Sequence, residues 1–263
     1  MHFDVLIVSV ILAALLVFVT LKKKAFTPAA AITAAVILIT AGICGEYAAI
    51  VGVLSAYGIV FAVDMILGKR TEKITGEINR KTGRRDIVQV LANALAAVIA
   101  LVLGYIFHRP EGLVIYYSAL TECLADSLAS DVGVLSKKDP VDICRMKRIK
   151  RGLSGGVSLL GTVSALLGCL AMALISLIFF GFDLKYFIAV LVIPMIGILV
   201  DSLLGSLVQA KYQCVKCGKF TEKAAHCGDP TAHCGGLKFI NNDTVNILSN
   251  FSAAILAALF LLL

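Results

Sequence analysis

Apolar runs about as long as a bilayer is thick recur along this chain, and they fix its class before any other feature is weighed. A helix needs roughly 20 predominantly apolar residues to cross a hydrocarbon layer of ~30 Å. Eight such runs are expected, approximately at 3–21, 26–43, 46–67, 87–107, 112–135, 157–180, 185–208 and 244–263. Composition agrees: 59% of the 263 residues are apolar and 16% are charged, where a soluble domain carries ~25% charged. The mean hydropathy is +0.94. A soluble enzyme, a disordered chain and a secreted disulfide scaffold are excluded. The fold class expected is an all-α integral membrane protein, one polytopic domain over 1–263. The first run has Lys22, Lys23 and Lys24 after it, whereas a signal peptide is charged before its apolar stretch, so it reads as a retained anchor.

Basic residues then set the expected orientation. Twenty-two of the 24 Lys and Arg fall in the connections after runs one, three, five and seven, and the other side holds only Arg109 and Lys185. Cytoplasmic loops carry the excess of Lys and Arg, so these four loops are expected in the cytoplasm of a cell-membrane protein, with both termini outside. Connections such as GICGE and HRPEG are too short to carry chemistry. The net charge of +7 reports this orientation, and no nucleic-acid partner is implied.

One loop is rich in metal ligands. Within 209–243, Cys214-x2-Cys217 is followed by His226-Cys227 and His233-Cys234. Soft thiolates about three residues apart can reach two corners of a tetrahedron, which is zinc-site spacing. The expected ligands are Cys214, Cys217, Cys227 and Cys234, with His226 or His233 as substitutes. A structural Zn2+ suits a loop with little core of its own. The scattered Cys44, Cys123, Cys144 and Cys169 read as small, soft packing residues.

Acids inside the apolar runs are more informative, because each costs at least ~2.5 kcal/mol to place in a bilayer and so marks a pairing, a cavity or a site. They are Asp64, Glu122, Asp126, Asp131 and Asp201. In ECLADSLASDVGVLSK, helical geometry spreads Glu122, Asp126, Ser130, Ser127 and Asp131 over one arc of about 180°, opposite Leu124, Leu128 and Val132. Asp64, Asp126, Asp131 and Asp201 are expected at similar depth on the basic side. There KRIKRGLSGGVSLLG places Lys150 and Arg151 before Gly152, Ser154, Gly155 and Gly156. Exposed amides at a helix start beside cations make a phosphate cradle. INNDTVNILSN opens the last run with Asn242, Asp243 and Asn246, a polar face or an N-cap cluster.

Taken in order, GKRTEKITGE, GRRDIVQVLAN, LADSLASDVGVLSK, KRGLSGGVSLLG, DSLLGSLVQ, the CxxC pair and INNDTVNILS resemble the transmembrane protein 19-like family, which includes the plant phytyl-phosphate kinase. The resemblance runs from about residue 64 to the C-terminus. More loosely, the acidic helix followed by a basic, glycine-rich segment is similar to CTP-using lipid enzymes such as dolichol kinase and CDP-diacylglycerol synthase. The resemblance implies phosphoryl transfer from a nucleoside triphosphate, CTP favoured, to an isoprenyl (phytyl or polyprenyl) monophosphate, giving the diphosphate.

Two anions must meet in such a reaction, so cations are required. Asp126, Asp131 and Asp201 would be the catalytic carboxylates that hold Mg2+. Lys69, Lys73, Arg84, Arg85, Lys150 and Arg151 would grip phosphates, with the glycines and the Asn242, Asp243 and Asn246 group beside the nucleotide. The isoprenoid tail would lie in lipid between helices. The alternatives are a CTP-dependent cytidylyltransferase of a lipid phosphate, an ion or small-molecule transporter, and a structural membrane protein with a zinc loop.

Overall fold

A computed structural model describes residues 3–76, 78 and 83–263. The helices are α1 (Phe3–Lys22), α2 (Pro28–Thr75), α3 (Ile87–Ile106), α4 (Glu111–Gly133), α5 (Leu159–Phe180), α6 (Leu184–Leu191), α7 (Ile193–Leu207) and α8 (Asn242–Leu262). Six stretches, with α6 and α7 taken as one, are long and apolar enough to cross a membrane. Hydrocarbon offers no partner to an open amide, and the helix starts are closed accordingly. Thr27, Asp86, Ser158, Asp183 and Asn241 each accept a hydrogen bond from the backbone of their own first turn. Asp86 and Gln89 form a reciprocal capping box.

α2 would be ~72 Å long if straight, more than twice a bilayer core. It doubles back instead. Thr27 N–H donates to the Arg85 carbonyl at 3.0 Å at its start, while Thr71 and Thr75 near its end share a cavity wall with Arg85. The reversal is at Glu46, whose φ of 51° and ψ of −147° break the helix. The second and third apolar runs are therefore the two arms of α2.

α4 is the central pillar, although it carries four acids. Its residues from Tyr116 to Ala125 are all buried, because polar groups that cannot face lipid must face other helices. Small residues let those neighbours close in. Gly52 packs on Tyr116 and Tyr117, Gly168 on Leu124 and Leu128, Gly197 on Glu122, and Gly133 on Gly161. Glu122 is enclosed there, accepting from Asn250 Nδ2 at 2.8 Å.

The connections between the helices also carry two small sheets. β1 (Val141–Asp142) pairs with β2 (Gly156–Val157). β3 (Lys211–Cys214), β4 (Phe220–Thr221), β5 (Ala225–His226) and β6 (Asp229–Gly235) form an antiparallel sheet in the order β4-β3-β6-β5. Strands of two to seven residues give no period for a sequence to reveal. Both sheets lie at the bundle end where α3, α5 and α8 begin and α4 and α7 finish.

Candidate functional site

Those helix termini surround a cavity of about 390 Å³. α2 supplies Thr71 and Thr75, α3 Gln89 and Asn93, α4 the stretch around Asp126 and Asp131, and α7 Asp201 and Ser202. Gly152 to Ser158 cross one side, and Asn241 to Asp243 with Asn246 close another. All three aspartates that the spacing singles out are thus in one wall. Asp126 lies within Coulombic range of Asp131 and of Asp201. Oδ2 of Asp201 is buried without a hydrogen-bond partner among the described residues.

Charge decides what such a space can hold. Among the described lining residues, Asp126, Asp131, Asp201, Glu222 and Asp243 face only Arg85 and Arg151 as fixed cations. Asp131 also sits in the last turn of α4, the negative end of its dipole, where a carboxylate is disfavoured. The acidic wall calls for a cation. The N-termini of α3, α5 and α8 also open on the cavity, with Ser158 of the α5 start donating to the Gly133 carbonyl at the end of α4 at 3.3 Å, and helix N-termini favour an anion.

Helical phase explains which expected cations stay away. Lys69 and Lys73 are two residues from Thr71 and Thr75, about 200° around α2, and point outward; Arg84 and Lys150 are exposed as well. None of these four lines the cavity, whereas Arg85 and Arg151 do. Arg151 reaches the Ser136 carbonyl at 3.1 Å and Asp139 at 3.6 Å. The rest of the basic stretch 68–86 falls partly outside the described residues.

Ser154 lines the cavity, but its donors are committed. Its N–H and its hydroxyl both go to Oε1 of Glu222, and Gln209 Nε2 donates to the same hydroxyl at 2.8 Å. Glu222 was not legible as a site residue, because it meets Ser154 across 68 residues of sequence. Burial pushes its carboxyl up, against the pull of the Ser154 bonds. Asp142 was missed too. It is fully buried and accepts from Ser206 Oγ at 2.7 Å and from the Arg145 and Cys144 amides at 2.9 and 3.0 Å. Burial alone would raise its carboxyl, but the Ser206, Arg145 and Cys144 bonds hold it below the ordinary range. Asn93, which accepts from Asn246 Nδ2 at 3.3 Å, left a signal: it is an amide in an otherwise apolar run.

The Cys/His loop carries a second cluster. Cys214, Cys217, His226 and Cys227 bring one ligand atom each to within 4.8 Å of one another. His226 takes the place that spacing favours for Cys234, which stands exposed on β6 outside the cluster. Among the described residues this is the one group of that tightness. The aspartates share a wall rather than a closed ligand set.

The integral membrane protein DUF92 family matches residues 11–254. The chain belongs to that family. Among DUF92 relatives, it is 26% identical over 282 residues to protein PGR of Arabidopsis thaliana, a match covering 93% of this chain and 92% of that protein. It is 30% identical over 127 residues to a membrane protein of Methanocaldococcus jannaschii, covering 48% of this chain and 52% of that protein. A membrane protein of Synechocystis is 27% identical over 136 residues, with 49% and 53% covered. For these last two the match spans about half the length of the relative. No solved structure matches. DUF92 membership makes the protein an integral membrane protein and leaves its chemistry to be argued from the cavity.

Proposed function

We propose that this protein is a multi-pass membrane phosphotransferase that makes an isoprenoid diphosphate from an isoprenyl monophosphate and a nucleoside triphosphate, CTP favoured. It crosses the membrane eight times, counting both arms of α2 and the acid-bearing α4, and its cavity faces the cytoplasm. The observation that carries the reading is the shared cavity, which Asp126, Asp131 and Asp201 line together with a glycine-rich turn and three helix N-termini. Tyr116, Tyr117 and apolar side chains are buried between this cavity and the far end of the bundle, which supports a one-sided site over a transport path.

In the reaction an oxygen of the lipid phosphate attacks the γ-phosphorus. The bond from that phosphorus to the βγ-bridging oxygen breaks, and the nucleoside diphosphate leaves with the electron pair. The acceptor is already ionised, so no strong general base is needed. Asp126, Asp131 and Asp201 would hold Mg2+, which would neutralise the charge of the meeting phosphates. The N-termini of α3, α5 and α8 orient the anionic groups, and Arg85 and Arg151 add charge. The tail leaves the cavity beside Ala165 of α5 and Met195, Ile198 and Leu199 of α7, the apolar part of the lining.

The test is to incubate the purified protein with labelled nucleotides, Mg2+ and a panel of isoprenyl phosphates. Nucleoside diphosphate and isoprenyl diphosphate are the expected products, and release of pyrophosphate instead assigns a cytidylyltransferase. Asp126→Asn, Asp131→Asn and Asp201→Asn should each lower turnover on the order of a hundredfold, with membrane insertion intact. Near-normal turnover in all three discards this site.

A further inference from the structure

We infer that Cys214, Cys217, His226 and Cys227 form a zinc site whose task is to pin Glu222 onto the glycine-rich turn of the cavity. The metal site stands independently of the reaction proposed above; only the kinetic readout rests on that reading.

Local backbone geometry presents the ligands. Cys214 ends β3, and the chain turns at Gly218, with φ +67°, whose N–H donates to the Cys214 carbonyl at 2.9 Å. This brings Cys217 beside Cys214. His226 ends β5 and pairs with Asp229 across the two-residue turn Cys227-Gly228, where φ is +56° and +85°. Positive φ at both central residues is the tight hairpin geometry, and here it turns adjacent His and Cys side chains toward the same point.

The spacing between ligand atoms fits one ion. Two thiolates ~2.3 Å from zinc at the tetrahedral angle lie ~3.8 Å apart, and a thiolate and an imidazole nitrogen lie ~3.6 Å apart. The Cys217 and Cys227 sulfurs are 3.8 Å apart, and His226 Nδ1 lies 3.5 Å from Cys217 Sγ and 3.2 Å from Cys227 Sγ. Three soft thiolates with one imidazole select zinc over magnesium or calcium.

The loop needs such an anchor, since from Gln209 to Ile240 its buried apolar side chains are only Ala210 and Cys214. A domain that small is not held by its core. What the metal would hold is a strap running from β4 to β5. Thr221 Oγ1 and the Glu222 N–H both donate to the Ile78 carbonyl, at 3.0 and 2.9 Å, and Lys223 Nζ reaches the Gly76 carbonyl. Thr231 ties the strap back to β6 through the Lys223 and Ala224 carbonyls, at 2.6 and 2.9 Å. From this strap Glu222 extends to Ser154. The metal cluster therefore sits at one end of a continuous chain of bonds, and the cavity turn sits at the other. Glu222 is a positioning residue: it fixes Ser154, and with Ser154 the turn through Gly155 and Gly156.

The experiment uses the full chain in lipid nanodiscs. Metal analysis should find about one zinc per chain. Cys217→Ala and Cys227→Ala should lose it, while Cys234→Ala and His233→Ala keep it. Stripping zinc with a strong chelator should speed hydrogen exchange at the Ser154 and Glu222 amides by about tenfold or more and leave α4 and α5 unchanged. Glu222→Gln should retain zinc, loosen the Ser154 amide, and raise the nucleotide KM about threefold or more at nearly constant kcat. No zinc, zinc that depends on Cys234, or unchanged exchange at Ser154 after stripping overturns the proposal, as does a fall in KM, which would make Glu222 a competitor of the nucleotide phosphates. If zinc and exchange behave as stated but no nucleotide is turned over, the proposed reaction fails and the strap stands.

Discussion

Both ends of the bundle bring backbone close to backbone, but at the far end the helices turn around few charges, whereas at the cavity end helix termini and two sheets surround polar, acidic space. Gly104 and Gly112 touch across the turn between α3 and α4, where a side chain on Gly104 would meet Gly112 Cα at 2.7 Å. Tyr116 and Tyr117 donate to the Ala49 and Ala48 carbonyls at 2.8 and 2.7 Å, closing the Glu46 reversal. A second cavity there, of about 570 Å³, is lined largely by side chains such as Leu101, Leu113, Phe179 and Phe180. Each end buries a carboxylate oxygen without a hydrogen-bond partner among the described residues, Glu111 Oε2 at the far end and Asp201 Oδ2 at the cavity end, but only the cavity end gathers several acids around one space.

Glycine substitution should break this contrast most visibly. Gly155→Ala places a Cβ 2.6 Å from the backbone of Ser206 at a φ of +84°, combining left-handed strain of roughly 1 to 2 kcal/mol with overpacking of about 1 to 3 kcal/mol. Gly181→Ala, at a φ of +65° and a ψ of −171° with open space around it, should show backbone strain without overpacking. Apparent thermal midpoints of the two variants measure the difference. Equal losses at both sites refute a cavity turn clamped against α7.

Acidity should separate two carboxylates of the cavity-end loops. Asp142 is held below its unfolded value near ~3.9, so its contribution is complete above about pH 4 and drains as pH falls through the lower folded value. Glu222 is raised, so its protonated form is favoured in the fold, and its contribution is full below the unfolded value of about 4.3. That contribution drains as pH rises through the folded value. Asp142→Asn should cost about 1 to 2 kcal/mol at neutral pH and flatten the acid limb of a stability profile; Glu222→Gln should flatten the opposite limb. Profiles unchanged in shape would remove both assignments.

The smallest effect belongs to the far end. Tyr116→Phe removes one interhelical bond, worth about 0.6 kcal/mol in membrane helices, and should leave turnover unchanged. A loss of turnover with normal stability would show that the two ends are less separate than the packing implies.

Much of this architecture was readable because lipid leaves a chain few choices. Most apolar runs match helices within a few residues, and the Glu46 reversal falls at the short GICGE connection, but α2 continues to Thr75, eight residues beyond the third run. The three aspartates were readable for the same reason, since an acid in hydrocarbon needs an explanation. What could not be read depended on contacts remote in sequence or on helical phase. Lys69 and Lys73 share a loop with cavity residues but lie on the wrong side of α2. Glu222 belongs to the site only because the sheet folds it back on Ser154. His226 displaces Cys234 because the β5–β6 turn, not the count of residues, aims the ligands.

The Gly104 and Gly112 contact also has a mechanical meaning. Two rods joined at one tip without a spacer cannot part there, yet a few degrees of tilt at the joint grows into ångströms at the opposite tip. α3 and α4 form such a lever with its fulcrum at the far end, and the acids of α4 ride on the long arm. The seam between α5 and α7 is the free edge, where Ala165 and Ile198 give way to Leu199, 48% exposed on the lipid-facing surface. On the reaction proposed above, a substrate with a long hydrocarbon chain would enter such a device sideways, as a page slips into a book held at the spine.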